Sequence, residues 1–276
     1  MCDVLKVSRS NYYKHLNKVD NSPKNELKHR NSRLVCQIFQ SSKGIYGSRK
    51  IQKSLQKHYK LFLSRKKIRR IMIENSLVSK YSLKTYKPYK KSKVTGNIFE
   101  NVLARRFDGW DLHEVLTSDL TYIPLGNNKF AYVCFIIDLF NREIVGYSVS
   151  DKHNTQCVME AFNTVAFNIS EVKIFHCDRG GEFRSNAFVN YITSNGIEMS
   201  MSNAGTPHDN AVSENLFSIL KAEWTQEIYD NIDEIRVHID EFVNWYNNFR
   251  IHSYINYNSP VEFRYQRNEE KKLLFG

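Results

Sequence analysis

After residue 100 the spacing of apolar residues shifts from the helical 3.6 to the strand period of two, and the order of segments beyond it constrains the fold most. "EVLTSDLTYIPL", "KFAYVCFIID" and "EIVGYSVS" read as three strands, the first pair joined by "GNN" and the second by the turn "LFNR". Asn154 or Thr155 then caps a helix, "NTQCVMEAFNTVAF", and the mostly apolar strand "VKIFHC" runs into "DRGGEF". Residues 185–194 make a short helix, "IEMSMS" a fifth strand, and "NAGTPHDN" leads into "PHDNAVSENLFSILKAEW", residues 207–224. In that last helix Val212, Leu216, Phe217, Ile219, Leu220 and Trp224 form one apolar stripe, with Asn210, Glu214 and Lys221 as a polar row along its edge. Three antiparallel strands followed by α, β, α, β, α describe one large α/β layer, an order that more than one α/β fold shares.

The chain ahead of this layer is helical and strongly basic. Residues 1–100 carry 25 Lys and Arg against 5 Asp and Glu, a net charge of +20, whereas the remaining 176 residues carry −9. A basic excess of this size attracts polyanions through counterion release, nucleic acid being the commonest. The acidic remainder would repel a phosphodiester unless something neutralises its carboxylates, and a bound divalent cation would do so. Ser8 or Ser10 opens a first helix, and Leu27, Leu34, Val35, Ile38 and Phe39 fall at helical spacing in a second. Ser48 caps a third helix to about Tyr59, and Ser64 a fourth to about Asn75 with Ile68, Ile71 and Met72 inward. Two helices across a tight turn, the second bearing Arg65, Lys66, Lys67, Arg69 and Arg70, form a helix-turn-helix pattern, although basic faces on helical hairpins are commonly just solvated. Residues 79–96 have no period and interleave lysines with Tyr81, Tyr86 and Tyr89, as a linker or a strand-tracking tether would. The five cysteines are scattered without a C-x-x-C pair, so they are expected as reduced, mostly buried thiols. No apolar run approaches the roughly 18 residues of a membrane span and the start lacks a signal-peptide core, which predicts a cytoplasmic protein.

Three acidic residues stand where their side chains can converge. Asp119 interrupts the first strand, and a carboxylate there is costly to bury unless paired or metal-bound. Asp178 lies just past the C-terminal end of the fourth strand, where open α/β sheets place ligands, and the following "RGG" turns sharply. Glu214 sits one turn into the last helix. If the first and fourth strands are neighbours, Asp119 and Asp178 lie side by side with Glu214 reaching over them. Each also has an ordinary explanation: Asp178 as a turn residue, Asp119 as a polar strand position, and Glu214 and Lys221 as a solvated helix flank. Asp138, at another strand end, rivals either aspartate, though "DLFNR" reads more simply as a turn.

"SDLTYI", "HCDRGGEF" and "PHDNAVSENLFSILKAE", with 35 residues between Asp178 and Glu214 and Lys221 seven beyond, resemble the DDE catalytic core of the IS3 family of bacterial insertion-sequence transposases. That core is similar in turn to retroviral integrases. "YGSRKIQKSL" with "LSRKKIRRIM" resembles the family's second helix-turn-helix, and "VNWYNNFRIHSYINYNSPVEF" its C-terminal tail, so the likeness covers nearly the whole chain. Departures are Leu116, where relatives usually show Trp, and Cys177, Gly181, Glu182 and Phe183, where Ser, Ser, Gln and Tyr are usual.

The resemblance implies an α/β ribonuclease H-like catalytic core, a five-stranded mixed sheet with flanking helices, preceded by an all-α helix-turn-helix DNA-binding region. The expected divisions are residues 1–78 helical, 79–100 linker, 101–227 core and 228–276 helical tail. It implies a DNA transposase in which Asp119, Asp178 and Glu214 are both catalytic and metal-binding, holding two Mg²⁺ ions with Asp119 bridging and Mn²⁺ able to substitute. Lys221 would touch a phosphate, Asn210 would orient Glu214, His208 would contact DNA, and Arg65, Lys66 and Arg69 would bind the ends of the element. The partners implied are terminal inverted repeats and target DNA, a second copy of the chain or more, and an upstream-frame helix-turn-helix protein, in the bacterial cytoplasm at the nucleoid. Two other classes fit parts of the pattern. A non-catalytic DNA-binding regulator or domesticated remnant would lack carboxylate-dependent metal binding, and a plain ribonuclease H-like nuclease would not need the basic arm.

Overall fold

The computed structural model describes residues 7–20, 23–80, 97–126, 129–225 and 229–275, and the chain divides into two compact units, residues 1–85 and 86–276. Each unit is built around its own core.

The first unit contains helices α1 (Arg9–Asp20), α2 (Pro23–Ser41), α3 (Ser48–Tyr59) and α4 (Arg65–Glu74). Val35, Ile38, Ile51, Leu55, Ile68, Ile71 and Met72 are buried, so the helical spacing read from α2 to α4 marks the packed faces; Leu27 of α2 stays exposed. Ser48 is the first residue of α3 rather than its cap: the capping position falls to Gly47, which makes no side-chain bond. Lys60 then takes a left-handed conformation (φ 52°) and returns its N–H to the carbonyl of Leu55, closing α3 within one residue. Ser64 caps α4 by accepting from the N–H of Lys67. Ser79 and Lys80 still hydrogen-bond to the carbonyls of Ile45 and Gly44, and Asn97 to Glu100 bond into the second unit. Of the stretch 79–100 expected as a linker, residues 81–96, with Tyr81, Tyr86 and Tyr89, lie outside the described residues.

The second unit is a five-stranded mixed sheet in the order β3-β2-β1-β4-β5, built from β1 (Val115–Pro124), β2 (Phe130–Asp138), β3 (Ile144–Ser150), β4 (Ile174–Cys177) and β5 (Glu198–Met201). The first three strands are antiparallel, whereas β4 runs parallel to both β1 and β5. β2 is buried on both faces, which is why its sequence is an almost unbroken apolar run. One face carries Leu116, Cys134, Ile136, Phe175 and Cys177 against α5 (Thr155–Asn163) and α6 (Asn186–Ser194). The other carries Ile123, Val133, Phe135 and Ile137 against α7 (Ala211–Ile219), the turn after it, and α8 (Ile232–Asn248). Because Ile235, Ile239, Phe242 and Tyr246 of α8 belong to the same cluster as the sheet, packing does not break at residue 227. α9 (Pro260–Phe275) follows and is anchored by Arg264, whose Nε and Nη2 donate to the two carboxylate oxygens of Glu143.

Three departures from the usual family residues are packing positions. Leu116, Cys177 and Phe183 are fully buried, with Phe183 among Phe175 and Phe188 at ring separations of 6.2 and 5.8 Å.

Candidate active site

The parallel pairing of β1 with β4 fixes the geometry. Thr117 pairs with His176, and two residues further on stand Asp119 on β1 and Asp178 just past the end of β4. Neighbouring strands lie about 4.8 Å apart, so the two carboxylates leave the sheet side by side. β4 ends at Cys177 while β1 runs on to Pro124; Asp119 therefore marks where the edge of β1 opens. Each aspartate spends one oxygen locally: the N–H of Leu120 donates to Asp119 Oδ1 at 2.7 Å, and that of Gly180 to Asp178 Oδ1 at 2.8 Å.

The energetic signature is that of concentrated negative charge. Burial pushes the Asp119 carboxyl well above its ordinary range; the neighbouring Asp178 adds to the rise, as do Glu182 and Glu214 more weakly, against the stabilising Leu120 N–H. Burial also raises Asp178, opposed by the Gly180 N–H and by His153 and Arg184. Glu214 is raised by burial and partly restored by the nearby His208.

Glu182 is a member of this group that sequence reasoning noticed as a charge but did not place. It is buried, with Oε1 3.5 Å from His153 Nε2, and burial raises its carboxyl. Gly180 makes room for it: a side chain there would collide with the Glu182 carboxylate and stand 2.9 Å from Asp178 Oδ1. Among the described residues no three His, Cys, Asp or Glu side chains stand close enough together to grip a metal ion as they are. Asp119 stands on β1 and Asp178 one residue past the end of β4, while Glu214 extends from α7 with its side chain exposed.

The polar row expected along the last helix is interrupted at both ends. Residues Pro207–Asn210 form a 3₁₀ turn, and Leu220–Trp224 form a π-helical turn, so Lys221 leaves the line of Glu214. Asn210 is buried and bonds to β1 rather than to Glu214: its Oδ1 accepts from Thr117 Oγ1 at 2.8 Å and its Nδ2 donates to the Ser118 carbonyl at 3.3 Å. It thus fastens the start of α7 to the strand that bears Asp119. The preceding loop is held by Asp209, which the sequence reading passed over. Its carboxylate accepts from Asn101, Arg105, Thr206 and the Asn203 N–H, and these bonds hold it below the usual range although burial alone would raise it. A buried Asp beside a Pro-His turn leaves no periodic trace that would have revealed it.

Lys221 lies with Nζ 4.8 Å from the ring centre of Tyr122. Asp138 is fully buried and accepts from the N–H groups of Phe140 and His113, both at 2.8 Å, so it is the turn-former and not a member of the pair. In the first unit Lys66 and Arg69 are exposed on α4, Arg65 is half-buried with Nε lacking a partner, and Arg70 reaches Glu74 at 3.6 Å.

An integrase core domain family matches residues 112–207, a second integrase core domain family matches 195–260, and an HTH-like domain family matches 26–85. A putative transposase for insertion sequence element IS150 from Escherichia coli K12 is 30% identical over 267 residues, covering 95% of this chain and 92% of that protein. The transposase for insertion sequence element IS904 from Lactococcus lactis is 29% identical over 246 residues, covering 84% of this chain and 92% of its own. Among solved structures, the catalytic domain of the Mos1 mariner transposase aligns over 48% of this chain and 70% of its own, at 15% identity and a TM-score of 0.40. With similarity running through almost the full length of an insertion-sequence protein and both the helix-turn-helix and integrase-core segments matched, the chain belongs to the IS3-type insertion-sequence transposases.

Proposed function

We propose that Asp119, Asp178 and Glu214 form the site at which this transposase breaks and rejoins DNA phosphodiesters. The observation that carries the reading is the β1–β4 pairing, which delivers two half-buried carboxylates side by side at an open sheet edge, beneath the helix that bears a third. A structural role does not account for the repulsion this arrangement builds in. Polar groups of a fold are ordinarily paired, and here like charges gather.

The donor set fits a hard divalent cation: Asp119 and Asp178 each keep an oxygen not engaged by a backbone N–H, and carboxylate oxygens suit magnesium or manganese. Asp119 and Asp178 would hold the metal, with Glu214 completing the set by its flexible side chain. When bound, two such ions supply Lewis-acid stabilisation of the attacking and departing oxygens of a phosphodiester. The chain's own groups do the remainder. Asn210 keeps α7 on β1 so that Glu214 faces the aspartates, Lys221 holds a phosphate near the open edge, and His208 offers a second contact beside Glu214. Lys66 and Arg69 on the exposed face of α4 take the terminal repeats of the element, with Arg65 aligned behind them. Joining two ends requires at least two copies of the chain on DNA.

Strand transfer by Asp119→Asn, Asp178→Asn and Glu214→Gln, on duplexes carrying the element's ends with Mg²⁺ or Mn²⁺, tests the site. Loss of joining with end binding intact is the expected result, and activity retained in all three variants removes the assignment. Lys66→Glu with Arg69→Glu should weaken end binding and flatten its salt dependence by roughly one unit of slope per lost phosphate contact. Unchanged binding would move the DNA contact elsewhere.

A further inference from the structure

The open edge that begins at Asp119 leads to an exposed aromatic surface. Past Cys177 the strand β4 stops, and among the described residues β1 next meets a neighbour on that side where Leu125 bridges to Tyr229. In that gap stands Tyr122, 55% exposed, three residues from Asp119 on the same strand and so on the opposite face of the sheet, where only the open edge connects the two. Tyr122 pairs with Tyr132 and Pro124 with Phe130, so all four side chains lie on one face of the sheet. Phe130, 43% exposed, meets the Tyr122 ring edge-on at 5.3 Å, and Tyr132 leans on His153 at 5.1 Å. Lys221, carried by the π-helical turn, places its ammonium over the Tyr122 ring.

We infer that Tyr122, backed by Phe130, is a stacking platform for an unpaired nucleobase of the DNA strand whose phosphate lies at the carboxylates, with Lys221 holding the phosphate between. The inference rests on the reading of Asp119 and Asp178 as the reaction centre and adds a substrate requirement to it: the DNA end must open. Three residues of strand span about 10 Å. Three nucleotides at the helical rise of roughly 3.4 Å cover that length, and an unpaired strand stretches further, which leaves reach to pass round the open edge to Tyr122, so the base belongs within the last three nucleotides beside the reacting phosphate. A ring face is sequence-tolerant, as stacking on aromatics is, and suits a protein that joins its ends to varied targets. The ammonium over Tyr122 does not block the ring. An exposed cation–π contact is weaker than a charge-assisted bond to phosphate, so an arriving strand draws Lys221 onto its backbone and uncovers the ring for the base.

The test uses the full chain and a short duplex with a three-nucleotide 3′ overhang carrying 5-iodouracil, compared with the blunt duplex. Irradiation should cross-link the overhang to Tyr122. Tyr122→Leu should lose binding of the overhang duplex by about tenfold while blunt-duplex binding stays within about twofold, and Tyr122→Trp should restore it. Cross-links mapping away from Tyr122 and Phe130, or equal binding of both duplexes by Tyr122→Leu and the native chain, would overturn the platform. Asp119→Asn separates this from the catalytic reading, because stacking needs no chemistry. A Tyr122 cross-link that persists in Asp119→Asn, together with nicking that also persists, would keep the platform and remove the catalytic assignment. Nicking that depends on Asp119 with no cross-link at Tyr122 would do the reverse.

Discussion

Glu223 and Arg250 form a buried ion pair whose removal should be felt through the whole catalytic unit. Arg250 Nε donates to Glu223 Oε2 at 2.8 Å and Nη2 to Oε1 at 2.9 Å, a two-pronged pair with side chains 6% and 0% exposed. It joins the π-helical turn after α7 to the segment that leaves α8, beside the stacked rings of Trp224 and Trp245 at 5.1 Å. Glu223→Gln keeps the shape but leaves the guanidinium charge buried and uncompensated, which costs about 3–5 kcal/mol. In a unit of this size each kcal/mol lowers the melting temperature by about 2–4 °C, so the transition should fall by roughly 6–20 °C. Intrinsic fluorescence reads it directly, because two of the chain's three tryptophans flank the pair. The double variant Glu223→Leu with Arg250→Met removes both charges together and should recover most of the loss, since apolar replacement of a buried pair is often neutral or favourable. A shift below about 2 °C for Glu223→Gln, or a double variant less stable than either single one, would refute the account.

Other perturbations probe the supports of the site. His176 is buried between Ser200 and Ser202, and burial lowers it from 6.5 to about 4. Since the unfolded chain takes up that proton and the native one does not, its contribution is present above pH 6.5 and fades as pH falls towards 4, by about 3 kcal/mol. Denaturant titrations at pH 7 and pH 4 should show this decline in the native chain and not in His176→Gln; parallel declines would refute it, and the oppositely signed slope of Asp138, raised by burial to about 6, is common to both. Asn210→Ala removes the bonds that hold α7 to β1 and should cost about 1–3 kcal/mol by urea titration, with strand transfer falling more than DNA binding. Equal losses in both would assign Asn210 to general stability. Gly146→Ala would place a methyl carbon 2.6 Å from the Ala161 carbonyl of α5, and a drop of about 1–3 kcal/mol or more is expected, with unchanged stability ruling out so close a packing.

The parts of this fold that sequence made legible are those set by local periodicity. The five strands follow from alternation or from short apolar runs, and helix starts from capping, as at Asn154, Ser185 and Ser64, each of which accepts from the third N–H beyond it. The proposed site residues Asp119 and Asp178 stand out in the sequence for a related reason: a carboxylate amid apolar strand residues, and another just ahead of a double glycine at a strand end, are at odds with their surroundings. The remainder depends on contacts distant in sequence. The π-helical turn at Leu220–Trp224 breaks the expected line from Glu214 to Lys221, and the partner nearest to explaining it, Arg250, is 27 residues beyond Glu223. Asn210 reads as a neighbour of Glu214 when the helix is wheeled, yet its bonds run to residues 92 and 93 positions earlier, across the sheet. Glu182 shows the same limit from the other direction: its charge was visible, but only the turn at Gly180 folds that carboxylate back beside Asp178. Periodicity thus supplies the frame and the misfit residues upon it, while the orientation of those residues is decided by long-range bonds. Substitutions at Asn210, Gly180 or Arg250 should accordingly lower strand transfer although all three carboxylates are kept in the sequence.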